Sequence, residues 1–223
     1  DYESYNREED EDGHIGMPNP LKFVSSELSA CRALILLAIR ETGASLKWAS
    51  AELRNDRSLV YDAVADFGKS LQWASDSLRD DPKIVTAAII DGGYDGAPLE
   101  YASVRLRADP DIVRQAFVCD EEIGVFGECE TSSLAFADPG LMADKDFVCS
   151  LFEIDATALR HASPDLRNDP ETVIQAIQRE GIAIHHASDA IRNNRQLALM
   201  AVEKDGFALR DLPSVFRDDR EFV

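Results

Sequence analysis

Ser50, Arg54 and Asp56 stand within seven residues of one another. A hydroxyl, a guanidinium and a carboxylate at such spacing are the side chains of a nucleophile, an anion-binding cation and an acid-base group. The same trio recurs as Ser75, Arg79 and Asp81, and as Ser103, Arg107 and Asp109. Recurrence argues against catalysis. A serine nucleophile needs a base of its own, and the serines at 25, 50, 75, 103, 163 and 188 come without one. His161, His186 and Asp211 form a second candidate set, since two imidazoles and a carboxylate can hold a metal. They fall on successive repeats, and helices pack about 8–10 Å apart, too far for one shared ion. His185, beside His186, is expected to be exposed. The phosphate-binding GxxxxGK[ST], the GxSxG elbow, the HExxH zinc motif and the dinucleotide fingerprint are all missing from the sequence. Neither catalytic residues nor a metal or cofactor site is expected, and the chain is read as no enzyme.

The elements behind these residues form an array. Markers at Ser25, Ser50, Ser75, Ser103, Asp138, Ser163, Ser188 and Pro213 define eight repeats with a period of 25 residues, lengthened at two insertions. The insertions lie near 92–98 and at Asp120–Glu130. Leu46, Ala49 and Leu53 are spaced for one helix face, and Val60, Ala63, Val64 and Phe67 for a second. Asp56, Asp81, Asp109, Asp144, Asp169 and Asn194 precede the second helix, where such side chains accept from orphan backbone N–H groups. Pro82, Pro110 and Pro170 follow at the first helical position, where a missing N–H costs nothing. Gly43, Gly68, Gly96, Gly181 and Gly206 are read as helix stops at positive φ. The expected repeat is a short helix, a turn, a capped longer helix and a glycine stop. A unit of this size cannot bury its apolar face alone. The expected fold is therefore all-α, with two-helix repeats stacked as an α-solenoid-like array over residues 21–223.

Stacking turns repeated positions into columns. Arg54, Arg79, Arg107, Arg167, Arg192 and Arg217 are expected to bond helix-end carbonyls and a neighbouring repeat's aspartate. The marker serines are expected to let helices approach closely, with a bond back to the backbone. Two residues before each marker runs Trp48, Trp73, Tyr101, Phe136, His161, His186 and Asp211. On a helical wheel this position lies about 150° from the Leu46/Ala49/Leu53 face. It either faces outward, as interface aromatics do, or packs between repeats. Trp48, Trp73, Tyr101 and Phe136, with Val125 and Phe126 of the second insertion, are the candidate partner-binding residues. That insertion lacks the alternating spacing of a calcium loop.

Forty-two acidic residues against 23 basic give a net charge of −19, which repels phosphate backbones and disfavours nucleic acid as a partner. A protein partner with a basic or apolar surface suits the charge. The longest apolar run, Ala33–Ile39, is far short of the roughly 20 residues that span a bilayer. Residues 1–20 are acidic, then rich in glycine and proline, and are expected to be disordered in isolation. The first repeat has lost the Arg–Asp signature, and its second helix is apolar nearly all round. Met17–Leu21 or another protein is expected to cover it. Cys31 and Cys149 are read as small core hydrophobes; Cys119 and Cys129 flank the second insertion and either pair or stay reduced. A chain running from Asp1 to Val223, inside a repeat, is expected to be a processed form or a piece of a longer product. A soluble intracellular setting, cytosol or organelle, is expected over a secreted one.

Ser50, Leu53, Arg54, Asp56, Val60, Ala63 and Val64, with their counterparts in repeats two, three, six and seven, carry a resemblance. The unit LxxASxxLRxDxxxVxxAV is similar to the repeat of the family catalogued as domain of unknown function 4116, over nearly the whole chain, with repeats one, four and eight degenerate. The resemblance implies tandem helical repeats and no established activity. The expected function is a non-enzymatic protein–protein interaction scaffold, serving as an accessory subunit of a larger assembly, an organellar one included. The alternative is a regulatory or substrate-recognition segment of a longer, enzyme-bearing chain.

Overall fold

The structure is a computed structural model that describes residues 25–92, 98–124 and 132–217. The acidic tail, Met17–Leu21, Val125, Phe126 and Cys129 lie outside the described residues. The chain divides into two compact halves, one ending at Tyr101 and the other beginning at Ala102. Among the described residues every regular element is helical and no strand occurs. No helix is long and apolar enough to cross a membrane.

Repeats two to seven each hold three helical pieces where the spacing suggested two. In the second repeat a 3₁₀ helix, Gly43–Trp48, ends at Ala49, which is extended at φ −71° and ψ 149°. Another single turn, Leu53–Asn55, follows, and then the α-helix Arg57–Asp66. Leu46, Ala49 and Leu53 are all buried, so the apolar spacing was informative. The helix assumed to join them is broken between Ala49 and Ser50. The break frees the backbone N–H of the marker residue, which donates to the preceding repeat. Ser50 donates to Ser29 O, Ser75 to Arg54 O, Asp138 to Arg107 O, Ser163 to Met142 O and Ser188 to Arg167 O, each at 2.9 Å. The marker serine is also the N-cap of the following turn. Its Oγ accepts from the N–H three residues on, at Leu53 (3.4 Å), Leu106 (3.3 Å), Leu166 (3.3 Å) and Ile191 (3.3 Å). The serine column is thus a joint and a cap, where close helix approach was expected.

The aspartate column caps as expected. Asp56 accepts from Ser58 N at 3.0 Å and Leu59 N at 3.1 Å, and Asn194 does the same for Gln196 and Leu197. Pro82 and Pro170 open the helices Pro82–Ile90 and Pro170–Arg179. Where repeats one, two and five carry a base there instead, it reaches the next repeat's cap. Arg32 bonds Asp56 at 2.7 Å, Arg57 bonds Asp81 at 2.9 Å, and Lys145 bonds Asp169 at 2.9 Å. The Arg32 bond pulls the Asp56 carboxyl down to about 2. This ladder had been assigned to the arginine column. Arg54 makes the other bonds expected of it, to helix-end carbonyls of its own repeat, donating to Ala49 O at 2.9 Å and Lys47 O at 2.5 Å. Arg217 does the same to Leu212 O at 3.4 Å.

The core of each half is built from repeated positions. Leu46, Leu71 and Leu99 in the first half and Leu134, Leu159 and Ile184 in the second are essentially inaccessible, as are Val60 and Val85 in the first and Val113, Val148 and Val173 in the second. Each such side chain contributes roughly 1.5–3 kcal/mol by leaving water. In the first repeat Ile35 and Ile39 are buried but Leu37 is 61% exposed. Cys31 is exposed and Cys149 half-buried, so neither is a core hydrophobe as expected.

Gly43, Gly68 and Gly181 serve close approach rather than positive φ, and Gly96 lies outside the described residues. A Cβ on Gly43 would lie 2.3 Å from Ala63 O, and one on Gly181 would lie 2.3 Å from Ala201 O, while one on Gly206 would meet nothing within 4 Å. Gly181→Ala is therefore expected to lower unfolding stability by about 1–3 kcal/mol through backbone overlap. Gly206→Ala is expected to leave it unchanged or raise it by about 0.5 kcal/mol through lost chain entropy. Urea unfolding of the two variants beside the parent checks both values.

Candidate functional site

Trp48, Trp73, Tyr101, Phe136, His161, His186 and Asp211 are all half-buried. The helical-wheel position does not apply to them, because the 3₁₀ helices end here, at Trp48, Trp73 and their counterparts. Each ring is thus the last helical residue before the extended joint, seated partly on its repeat and partly open to water. In the first half, Trp48 and Trp73 come from successive repeats and share one cation. Lys47 Nζ lies 5.7 Å from the Trp48 ring centroid and 6.0 Å from that of Trp73. At about 6 Å an ammonium is held by the ring quadrupole. Arg54 fixes the backbone beneath, since the two carbonyls it bonds, those of Lys47 and Ala49, flank Trp48. Sequence reasoning found the rings and expected Arg54 to bond helix-end carbonyls, but missed Lys47 and gave Arg54 a neighbouring repeat's aspartate as well.

In the second half the column becomes His161, His186 and Asp211. No group of three or more His, Cys, Asp or Glu side chains among the described residues is arranged to hold a metal. Asp211 pairs with His185, Nδ1 to Oδ1 at 3.6 Å, rather than with its column neighbour. The His185 and His186 rings meet edge-on with centroids 5.0 Å apart. His161 Nε2 accepts from Arg160 Nε at 2.8 Å. Burial, then the charge of Arg160, pushes the His161 imidazole down to about 4, and burial, then the neighbouring His185 and Arg160, lowers His186. Between these repeats lies an open pocket of about 470 Å³ lined by Arg160, Arg167, Arg192, His185, His186 and Asp189, among others.

The second insertion begins inside a helix. Pro110–Gly124 is continuous, so Asp120 belongs to it and not to a surface loop. Its carboxylate accepts from Ser133 N at 2.5 Å, Ser133 Oγ at 2.9 Å and Ser132 Oγ at 3.2 Å. Burial raises its pKa against those bonds.

The family described as domain of unknown function (DUF4116) matches residues 31–79, 133–192 and 194–223. The chain belongs to this family. The matched stretches cover more than half of the chain and leave out 80–132, where both insertions fall. No curated protein and no solved structure matches the chain.

The His161 environment has a measurable consequence. Its folded pKa lies below the ordinary 6.5 of an unfolded histidine, so protonation favours the unfolded chain. The stability contributed by neutral His161 is present above about pH 6.5 and is lost as pH falls through about 4. Ring titration by NMR should place His161 near 4. Arg160→Gln should raise that value only partway, because burial is the larger cause.

Proposed function

We propose that the chain is a non-enzymatic interaction scaffold, and that a protein partner docks on Trp48 and Trp73. The observation that carries this reading is the pair of half-buried indoles on successive repeats, bridged by the Lys47 ammonium and fixed from below by Arg54. Indoles with one face on a rigid backbone and the other toward water lose little conformational freedom on binding. Tryptophan is also among the residues that dominate interface energetics. A stacked array of short repeats supplies such rings at a fixed spacing without a catalytic centre. The excess of 42 acidic over 23 basic side chains favours a partner that brings apolar groups to the indoles and basic groups around them. In this reading the chain serves as an accessory subunit of a larger assembly.

Affinity capture from native extract, run with the parent chain and with Trp48→Ala and Trp73→Ala, tests the proposal. The expected result is a partner retained by the parent at low and moderate salt and bound roughly tenfold or more weakly by each variant, with an unchanged far-UV circular dichroism spectrum. Equal retention by the variants would remove the indoles from the interface. A collapse of the helical spectrum would make them core residues instead.

A further inference from the structure

The pocket in the second half concentrates positive charge in a chain whose net charge is −19. Arg160, Arg167 and Arg192 line it with His185 and His186, against one carboxylate, Asp189. Arg192 is neutralised by its ion pair with Asp189. Arg160 and Arg167 are not. Arg160 is exposed and directs its Nε to the neutral Nε2 of His161 at 2.8 Å. Arg167 has no carboxylate at ion-pair distance among the described residues, and its Nε, like those of Arg192 in the pocket and Arg107 outside it, is buried with no hydrogen-bond partner. Arg160 acts on the Asp120 carboxylate only as a charge, without an ion pair among the described residues. With almost two acids for each base in the sequence, two guanidiniums lining one pocket with no ion-paired carboxylate among the described residues call for an anion from elsewhere.

We propose that this pocket binds a phosphate monoester, with Arg160 and Arg167 holding the phosphoryl oxygens and the imidazoles of His185 and His186 at its edge. Guanidinium groups offer paired N–H donors at the spacing of phosphoryl oxygens and retain charge at any physiological pH. A pocket of about 470 Å³ admits a phosphate with a small attached group and excludes a folded domain or a duplex. The single site is consistent with the poor fit of nucleic acid, which needs a row of cations along its backbone. The charges facing His186 are His185 and Arg160, which lower its pKa, and Asp155 and Asp211, which raise it. A bound dianion joins the second group, so occupancy moves the His186 titration upward. The pocket lies in the half of the chain that does not carry Trp48 and Trp73, and the proposal does not rest on the indole interface.

The test follows the histidine ring resonances of the whole chain by NMR, at constant ionic strength. Inorganic phosphate is added in one series and a phosphoserine peptide in another, each compared with chloride. The expected result is a saturable shift of the His185 and His186 signals at millimolar phosphate or below, with the His186 pKa raised when the site is full. Arg160→Gln, a change at an exposed side chain, should weaken binding about tenfold, the effect of losing one charge-assisted contact. Arg57→Gln, which removes the same charge from the other half, should leave it unchanged. Equal affinity for both probes makes the ligand a free phosphate compound, and tighter binding of the peptide makes it a phosphorylated side chain. Shifts that do not saturate with either probe, or binding that Arg160→Gln and Arg57→Gln weaken alike, would overturn the proposal.

Discussion

One backbone hydrogen bond organises each half of the molecule: the marker residue's N–H donates to a carbonyl of the preceding repeat. Ser50, Ser75, Asp138, Ser163 and Ser188 make it, each at 2.9 Å. Other features of the repeat follow from it. The N–H is available only because the chain is extended at the joint, at Ala49, Ala74, Ala137, Ala162 and Ala187. An extended residue before a helical turn is an N-cap position, so a serine there caps the turn that the joint begins. Within the repeat, the 3₁₀ helix and the α-helix that follows lie so close that Gly43 and Gly181 have no room for a Cβ. At the eighth marker, Pro213, there is no N–H to donate.

Much of this was legible in the residues. The 25-residue period, the capping aspartates, the proline at the first helical position and the buried leucine and valine columns follow from spacing and from the chemistry of helix ends. The 3₁₀ pieces did not, because Leu46, Ala49 and Leu53 satisfy the spacing of one helix face whether or not the helix breaks between them. Glycine was read as a helix stop because that is its commonest local use. The contact that requires it comes from Ala63 or Ala201, 20 residues onward. The arginine column was given the neighbouring aspartate as partner. The structure gives that partner to Arg32, Arg57 and Lys145, at the position that repeats three, four and six fill with proline.

The column ahead of the marker changes character along the chain for a physical reason. It sits where each 3₁₀ helix ends, half in contact with its own repeat, and nothing in the joint depends on its side chain. It can therefore vary while its neighbours cannot. In the first half it holds two indoles around Lys47. In the second it holds imidazoles whose neighbours are arginines, in surroundings that keep His161 neutral down to about pH 4. A rigid, repeated backbone thus carries two surfaces of different chemistry at equivalent positions.

The central claim is that the marker amides hold the repeats together. Native-state hydrogen exchange measures this directly at Ser50, Ser75, Ser163 and Ser188, with Asp76 and Asp189 as internal references. Those two open the helices Asp76–Arg79 and Asp189–Arg192, where an N–H has no intrahelical acceptor. The marker amides should exchange only through openings close in free energy to unfolding of the half that contains them, while the two references exchange rapidly. Marker amides that exchange as fast as Asp76 and Asp189 would contradict the account.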